Sequence, residues 1–123
     1  MRVSEAMENY LETIYILSRK QPDVHAADIC AYLEYSRPTV SVVVRQLRDQ
    51  GYLEINDANH ITLTAQGREV AERMYERHNL LAEMLISIGV DERTAYRDAC
   101  KMEHDLSKES FDRIREFYRR QMK

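Results

Sequence analysis

The sequence predicts a mainly α-helical fold interrupted by one short β-hairpin. Three glycines and two prolines occur among the 123 residues, and these are the residue types that most often break helices. Apolar side chains recur every three or four residues along most of the chain, which is the spacing of one helical face. Only residues 52–64 alternate apolar and polar side chains on either side of a turn-forming run.

The N-terminal half is predicted to begin with three helices. Residues 5–19 place apolar side chains on one stripe, and residues 26–33 suit a short second helix. Ser36 is a good N-cap and Pro38 fits the first turn of a third helix, which Gly51 is expected to end. A short helix, a tight turn and a second helix with a polar leading edge form the helix-turn-helix layout.

A β-hairpin directly after the third helix would be the wing of a winged helix-turn-helix. Residues 52–55 and 61–64 are the predicted strands, and residues 56–59 carry turn chemistry. A long helix is then expected from Thr64 to about Ile88. Its predicted apolar face consists of Val70, Met74, Leu81, Leu85 and Ile88.

Two further helices complete the prediction. Gly89 should end the long helix, Asp91 should cap the next one, and the last helix should begin near Ser107. The end of the chain carries more apolar surface than residues 65–123 can bury alone, in Leu106, Phe111, Ile114, Phe117 and Tyr118. This excess predicts a homodimer.

The third helix and the wing carry the predicted DNA contacts. These are Ser36, Arg37, Pro38, Thr39, Ser41, Val42 and Arg45 on the helix, and His60 beside Asn59 at the wing tip. Hydroxyls and arginines suit phosphates and base edges, whereas Val42 suits a thymine methyl group. Residues 36–48 contain three arginines and no acid, although the net charge is −3. We therefore expect double-stranded DNA as a partner; the alternative is the same layout in a protein that binds no DNA.

A metal half-site is predicted in the penultimate helix, where Cys100, Glu103 and His104 form the pattern C-x-x-E-H. On an α-helix these positions lie at about 0°, 300° and 40°, so their side chains share one narrow face. Thiolate, carboxylate and imidazole groups are ligands of divalent transition metals. Further ligands would come from another element. The alternative is that Glu103 and His104 are ordinary surface residues and Cys100 is a small buried apolar one.

Several classes of protein are disfavoured by the composition. No apolar run reaches the length of a membrane span, and the N-terminus lacks the pattern of a signal peptide, so a cytoplasmic protein without a membrane partner is expected. Cys30 and Cys100 are too far apart in the sequence to indicate a disulfide scaffold. An enzyme is disfavoured because no general base or glycine-rich substrate loop accompanies the metal ligands.

Four segments carry a resemblance to a known family: M-E-N-Y-L-E-T-I-Y, S-R-P-T-V-S-V-V-V-R-Q-L-R-D-Q-G-Y-L, R-H-N-L-L-A-E and C-x-x-E-H-x-L-S. With these segments the chain resembles the diphtheria toxin repressor family of metal-dependent regulators over essentially its whole length. The resemblance implies a winged helix-turn-helix DNA-binding domain in residues 1–64 and a helical metal-binding and dimerisation domain in residues 65–123. Larger iron-type members add an SH3-like domain, so a chain of 123 residues is similar to the short manganese-transport-regulator branch.

The resemblance also implies metal ligands outside the C-x-x-E-H pattern. Asn9 stands where manganese-type members have an aspartate and iron-type members have a methionine. Glu12 matches a manganese-type ligand, and His78 matches a ligand that both branches share. Without the resemblance, His78 would be interpreted as a core histidine, because it lies between Met74 and Leu81 on a predicted apolar face.

The implied site mixes the two branches. Cys100 matches the iron-type pattern, and manganese-type members have a bridging glutamate there; iron-type ligands of a second ion are replaced by Tyr96 and Ala82. We therefore expect one well-formed site for Fe(II) or Mn(II), with Fe(II) slightly favoured by the thiol, while Zn(II), Ni(II) or Co(II) can bind in vitro. The implied function is a repressor that binds operator DNA as a metal-loaded dimer and controls metal-ion homeostasis genes. The alternative is a winged-helix regulator that responds to an organic ligand or to thiol oxidation.

Overall fold

The fold consists of six helices and one two-stranded sheet in the residues that the computed structural model describes, 4–121. The elements are α1 (Glu5–Lys20), α2 (Ala26–Leu33), α3 (Arg37–Asp49), β1 (Leu53–Ile55), β2 (Ile61–Leu63), α4 (Ala65–Ser87), α5 (Glu92–Asp105) and α6 (Lys108–Gln121). The predicted fold class is confirmed. The elements form two compact units that divide between Arg73 and Met74, within α4. None of the helices in residues 4–121 has the length and apolar composition to cross a membrane.

In the N-terminal unit, α1, α2 and α3 pack around an apolar core with the hairpin beside them. The core includes Tyr10, Leu11, Ile14, Ile29, Val40, Val44, Leu47, Leu53 and Ile61. β1 and β2 are antiparallel, with Leu53 opposite Leu63 and Ile55 opposite Ile61. The main-chain N–H of Ile61 also donates to the carbonyl oxygen of Val24 at 2.8 Å, which ties the hairpin to the loop before α2. This unit is a winged helix-turn-helix.

Local backbone chemistry sets the ends of α2 and α3. The hydroxyl of Ser36 accepts a hydrogen bond from the main-chain N–H of Thr39 at 3.4 Å, as expected of an N-cap. Glu34, at φ 59°, ends α2 in the left-handed region. Gly51 follows α3 with φ 86°, a conformation that costs glycine little. The boundaries predicted at Ser36 and Gly51 are therefore confirmed.

Gly67 is required by a close contact between the start of α4 and the residue before β1. A Cβ atom at this position would lie 1.9 Å from the carbonyl oxygen of Tyr52. That oxygen accepts a hydrogen bond from the N–H of Thr64 at 3.1 Å, and the hydroxyl of Thr64 accepts one from the N–H of Gly67 at 3.2 Å. The start of α4 is thus fixed against the base of the wing.

The division of the chain falls inside α4, nine residues beyond the boundary that the sequence predicts at 64/65. The reason is that Val70 and Ala71, in the first turns of α4, are buried in the core of the N-terminal unit. The C-terminal unit therefore begins with the second half of α4 and adds α5 and α6. Its core consists of Leu80, Leu81, Ala82, Ala95, Ala99 and Phe111.

Ile88 does not belong to the apolar face of the long helix, contrary to the prediction. The helix ends at Ser87, and the side chain of Ile88 is 74% exposed. The chain turns here because Gly89 adopts φ 105° and donates its N–H to the carbonyl oxygen of Ile86 at 3.0 Å. The apolar periodicity in the sequence continued past the point where the helix stops.

The apolar excess predicted for the end of the chain is smaller than expected. Phe111 is buried, and Leu106, Ile114 and Tyr118 pack against the core of the C-terminal unit. Phe117 remains 55% exposed. These five side chains therefore leave less apolar surface for a dimer contact than the sequence predicts, because the helices of one unit already cover most of them.

Candidate metal centre and nucleic-acid interface

Three predicted metal ligands converge in the C-terminal unit. One ligand atom from each of His78, Cys100 and Glu103 lies within 4.8 Å of the other two. Two atoms that each bind one ion at about 2.0–2.3 Å are at most about 4.6 Å apart. An imidazole nitrogen, a thiol sulfur and a carboxylate oxygen are all ligands of divalent transition metals. The donor set therefore fits such an ion after a small adjustment of the side chains.

Glu103 occupies the centre of this cluster. Its side chain is fully buried, and Oε2 lies 3.1 Å from Nδ1 of His78. Oε1 lies 3.3 Å from Nε2 of His104, whose side chain is 1% exposed. A buried carboxylate is costly unless charges or hydrogen bonds compensate it, and two imidazoles flank this one. The structure thus brings His78, Cys100 and Glu103 together, with His104 beside Glu103.

α4 and α5 share one buried core beside the cluster. Ala82 of α4 and Ala95 and Ala99 of α5 are all fully buried in it. The ring of Tyr96, one helical turn before Cys100, lies with its centroid 5.5 Å from that of His78, so it limits the space available to the imidazole.

The two positions that would hold a second ion in the iron-type pattern do not provide the expected ligands. Ala82 has no donor atom and is enclosed in the core, and Tyr96 packs its ring against His78. Glu83, the residue after Ala82, is exposed. Among residues 4–121, His78, Cys100 and Glu103 are the one group of three or more His, Cys, Asp or Glu residues with the dimensions of a metal site.

Arg77 belongs to the site but was missed in the sequence. Its side chain is buried, and Nη1 donates to the carbonyl oxygens of Glu103 and Leu106, each at 2.9 Å. The guanidinium carbon also lies 5.0 Å from the centre of the Phe111 ring. The available signal was its spacing: Arg77 lies three positions after Met74 and four before Leu81, on the predicted apolar face of the long helix.

Asn9 and Glu12 belong to α1 in the N-terminal unit, and their part in metal binding stays a prediction. The two residues are three positions apart, so they lie on one side of the helix. Asn9 is half-buried, and the side chain of Glu12 is only 5% exposed. Its neighbour Thr13 is buried as well, so the buried surface of α1 extends beyond the predicted apolar stripe.

The leading edge of α3 is accessible, as a DNA-contacting helix requires. Ser41 is half-buried. The other predicted contacts on this helix are exposed, namely Ser36, Arg37, Pro38, Thr39, Val42 and Arg45. A groove of about 660 Å³ lies between α3 and the wing, and its walls include Arg37, Arg45, Arg48 and Asn59. Arg48 was outside the predicted contact set, although it belongs to the basic stretch of the sequence.

The predicted wing contact His60 is directed toward the start of α2. Its Nδ1 atom lies 3.4 Å from Oδ1 of Asp23, and its ring centroid lies 4.6 Å from that of His25. These contacts connect the start of β2 to the loop before α2. Asn59, with φ 63°, is exposed and lines the groove. A DNA contact by His60 stays a prediction, and Asn59 is the better placed of the two wing residues.

Both halves of the sequence match models of one protein family. Residues 2–61 match "Iron dependent repressor, N-terminal DNA binding domain", and residues 64–121 match "Iron dependent repressor, metal binding and dimerisation domain". The HTH-type transcriptional regulator MntR of Lysinibacillus sphaericus (strain C3-41) is 37% identical over 109 residues, which cover 89% of this chain and 78% of the relative.

Solved structures show the same fold. The manganese regulator SloR superposes with a TM-score of 0.82 at 24% identity, covering 97% of this chain and 55% of that protein. A manganese-dependent transcriptional repressor in complex with manganese gives a TM-score of 0.80 at 28% identity, covering 88% of this chain and 50% of that protein. The chain therefore spans about half the length of these solved proteins. Together with the two family models, these similarities show that the chain belongs to the iron-dependent repressor, or diphtheria toxin repressor, family of metal-dependent transcriptional regulators.

Proposed function

We propose that this protein is a transcriptional repressor that binds operator DNA as a homodimer when Mn(II) or Fe(II) is bound. The observation that carries the proposal is the cluster of His78, Cys100 and Glu103, whose ligand atoms lie within 4.8 Å of one another. The exposed arginines of α3 in the N-terminal unit support the DNA-binding half. Genes of metal-ion homeostasis are the proposed targets, and a DNA partner agrees with the cytoplasmic location expected from the sequence.

The proposed ligands on α4 and α5 are His78, Cys100, Glu103 and His104. Asn9 and Glu12 are further ligands that the family resemblance implies. A bound divalent cation would supply the positive charge that offsets a carboxylate and a thiolate. In its absence the carboxylate of Glu103 and the thiolate form of Cys100 repel each other at this short distance. The cluster is then held less firmly, and we propose that this difference controls DNA binding.

A symmetric homodimer is proposed because one recognition helix contacts only half of a palindromic operator. In the C-terminal unit Ile86, Ile88 and Phe117 are exposed, and a second copy of the chain would cover apolar side chains of this kind. The α3 helices of the two copies would then contact half-sites about 34–36 Å apart. Light scattering that showed a monomer at every concentration, with and without metal, would contradict this part of the proposal.

Two observations favour different activating ions. The solved repressor at 28% identity is manganese-dependent, which supports Mn(II). The thiol of Cys100 favours Fe(II), Co(II), Ni(II) or Zn(II) over Mn(II), because these ions bind sulfur more strongly. The preference for Fe(II) predicted from the sequence therefore depends on Cys100 alone, and we propose Mn(II) or Fe(II) without ranking them. Zn(II), Ni(II) and Co(II) are expected to bind in vitro.

Selection from a pool of randomised DNA duplexes, with Mn(II) or Fe(II) present, would provide a bound sequence for a gel-shift test. We expect a shift with metal and none with excess chelator. The His104→Ala variant should lose the metal-dependent shift because a proposed ligand is removed. Alanine is well tolerated in a helix, and a circular dichroism spectrum like that of the wild type would show that the variant is folded. Lys101→Ala, an exposed position on the same helix, is the matched control. A shift that ignores chelator but responds to peroxide would favour regulation by thiol oxidation instead.

A further inference from the structure

We infer that Arg77 is a positioning residue that holds the last turn of α5 in the geometry needed for metal binding. This turn carries two proposed ligands, Glu103 and His104. The inference rests on the proposed function, because it concerns the same metal site. It adds a residue that no pattern of metal-binding side chains identifies, since an arginine is not itself a metal ligand.

Arg77 satisfies main-chain carbonyl groups at the end of α5. The last four carbonyl groups of an α-helix have no N–H partner within the helix, and α5 ends at Asp105. The carbonyl of Glu103 is one of these four groups. Leu106 is the C-cap, where the chain leaves helical geometry at φ −85° and ψ 137°. Nη1 of Arg77 donates to the carbonyl oxygens of Glu103 and Leu106 at 2.9 Å each, so it replaces the N–H groups that the helix cannot supply.

Arg77 also places a positive charge at the C-terminal end of α5. A cation at the C-terminus of a helix interacts favourably with the helix dipole. The carboxylate of Glu103 is fully buried, and the guanidinium of Arg77 is bonded to the same residue's main chain. Arg77 is itself only 6% exposed, and a buried charge is costly unless hydrogen bonds and opposite charges compensate it. The negative end of the α5 dipole and the two carbonyl oxygens thus offset part of the cost of burying the Arg77 guanidinium.

α6 contacts the Arg77 side chain and helps to keep it in place. The guanidinium carbon of Arg77 lies 5.0 Å from the centre of the Phe111 ring, within the range of a cation–π interaction. Arg115 contacts the same ring at 5.4 Å, but its guanidinium is bonded to Glu76 at 2.6 Å and Asp112 at 2.9 Å. Arg77 therefore connects all three helices of the C-terminal unit at the turn that supplies the ligands.

Arg115 provides a matched control. Arg115→Met removes a guanidinium from the same aromatic ring, whereas Arg77→Met also removes the hydrogen bonds to the turn of α5. A purely structural role for Arg77 predicts that both variants lose thermal stability and that neither changes metal coordination. A positioning role predicts that Arg77→Met alone changes the coordination. The two roles are therefore separated by a spectrum of the bound metal rather than by stability.

Co(II) is a suitable probe, because its visible bands report coordination geometry and a bound thiolate adds a charge-transfer band. We expect Arg77→Met to weaken Co(II) binding about tenfold or more, as the loss of other groups that orient metal ligands does. The visible bands should shift as well. Arg77→Lys keeps the charge, but the lysine ammonium ends one bond short of the position of Nη1. The Co(II) affinity of this variant should therefore lie between those of the wild type and Arg77→Met. Arg115→Met should lower the unfolding temperature and leave the Co(II) affinity and spectrum unchanged.

A folded Arg77→Met variant with the wild-type Co(II) affinity and spectrum would overturn the inference. If Arg77→Met does not fold, a folded Arg77→Lys variant with wild-type affinity and bands would overturn it instead. Wild-type protein that binds no Co(II) would contradict the proposed function, and the inference with it. If the wild type binds Co(II) and the Arg77 variants bind it equally well, the inference about Arg77 fails and the proposed function stands.

Discussion

Nδ1 of His78 lies 3.1 Å from Oε2 of Glu103, although 25 residues separate them in the sequence. The contact joins two ligands predicted on different grounds, a histidine implied by family resemblance and a glutamate found from helical spacing. α4, which carries His78, and α5, which carries Glu103, contribute to one buried core that includes Ala95 and Ala99. The cluster is therefore built into the packing of the C-terminal unit.

Replacing Glu103 by glutamine tests the central ligand. Glutamine has nearly the same shape but no charge, so we expect the fold to persist while the affinity for a divalent ion falls at least about tenfold, or about 1.4 kcal/mol. Competition with a fluorescent chelator would measure the change. Glu83→Gln, an exposed position on α4, should bind metal like the wild type. Unchanged affinity in folded Glu103→Gln protein would remove this residue from the site.

Replacing Cys100 by glutamate tests what the thiol contributes to metal preference. A carboxylate in place of sulfur restores the manganese-type pattern, and oxygen ligands suit Mn(II) better than thiolate does. The ratio of Mn(II) affinity to Zn(II) affinity should therefore rise, as measured by competition titrations of both proteins. A ratio that stays the same would mean that Cys100 does not coordinate the ion.

Arg37→Ala and Arg45→Ala test the recognition helix. Both arginines line the groove between α3 and the wing, so each substitution should weaken DNA binding and lower the salt slope by about one unit per lost phosphate contact. Metal affinity should be unaffected. Arg113→Ala, an exposed arginine of α6, is the control. If both α3 variants bound the duplex like the wild type, another element would have to contact the DNA.

Tyr10→Phe tests a buried hydroxyl in the N-terminal core. Burial is the main cause that raises the pKa of Tyr10 above its ordinary value of 10.0, and the nearby ionisable groups of Tyr35 and Cys30 raise this pKa further. A tyrosine with a raised folded-state pKa keeps its full stabilising contribution below about pH 10 and loses it as the pH rises further. Among residues 4–121 its hydroxyl has no hydrogen-bond partner, and an unpaired buried hydroxyl is costly, so phenylalanine should raise stability at neutral pH by about 1 kcal/mol.

The measurement is the unfolding temperature of wild type and Tyr10→Phe on both sides of about pH 10. The variant should lose less stability at the alkaline end, because it has no group to ionise at this position. Equal alkaline losses in wild type and Tyr10→Phe would show that Tyr10 does not control this transition.

Much of the fold is predictable from the sequence because its boundaries depend on local chemistry. Ser36 marks the start of α3 through its own hydroxyl, and Gly51 marks the end through its positive φ. The shared face of Cys100 and Glu103 likewise follows from helical geometry alone. These features need no knowledge of how the helices pack.

Features that depend on packing were not predictable. Ile88 continues the apolar spacing of α4 but lies beyond the helix end, and Glu12 is buried on a side of α1 that the pattern left polar. Arg77 is the clearest case, because its partners are main-chain carbonyls of α5 that carry no signature in the sequence. Each of these residues is determined by a neighbour that is distant along the chain.

The most direct test of the account is the affinity of the selected duplex, measured by fluorescence anisotropy against buffered free Mn(II), Fe(II) and Zn(II). Wild-type protein should bind the duplex tightly with metal and weakly with excess chelator, and Glu103→Gln should stay in the weak state at metal concentrations that saturate the wild type. Equal DNA affinity of the wild type in chelator and in every metal would contradict the metal switch.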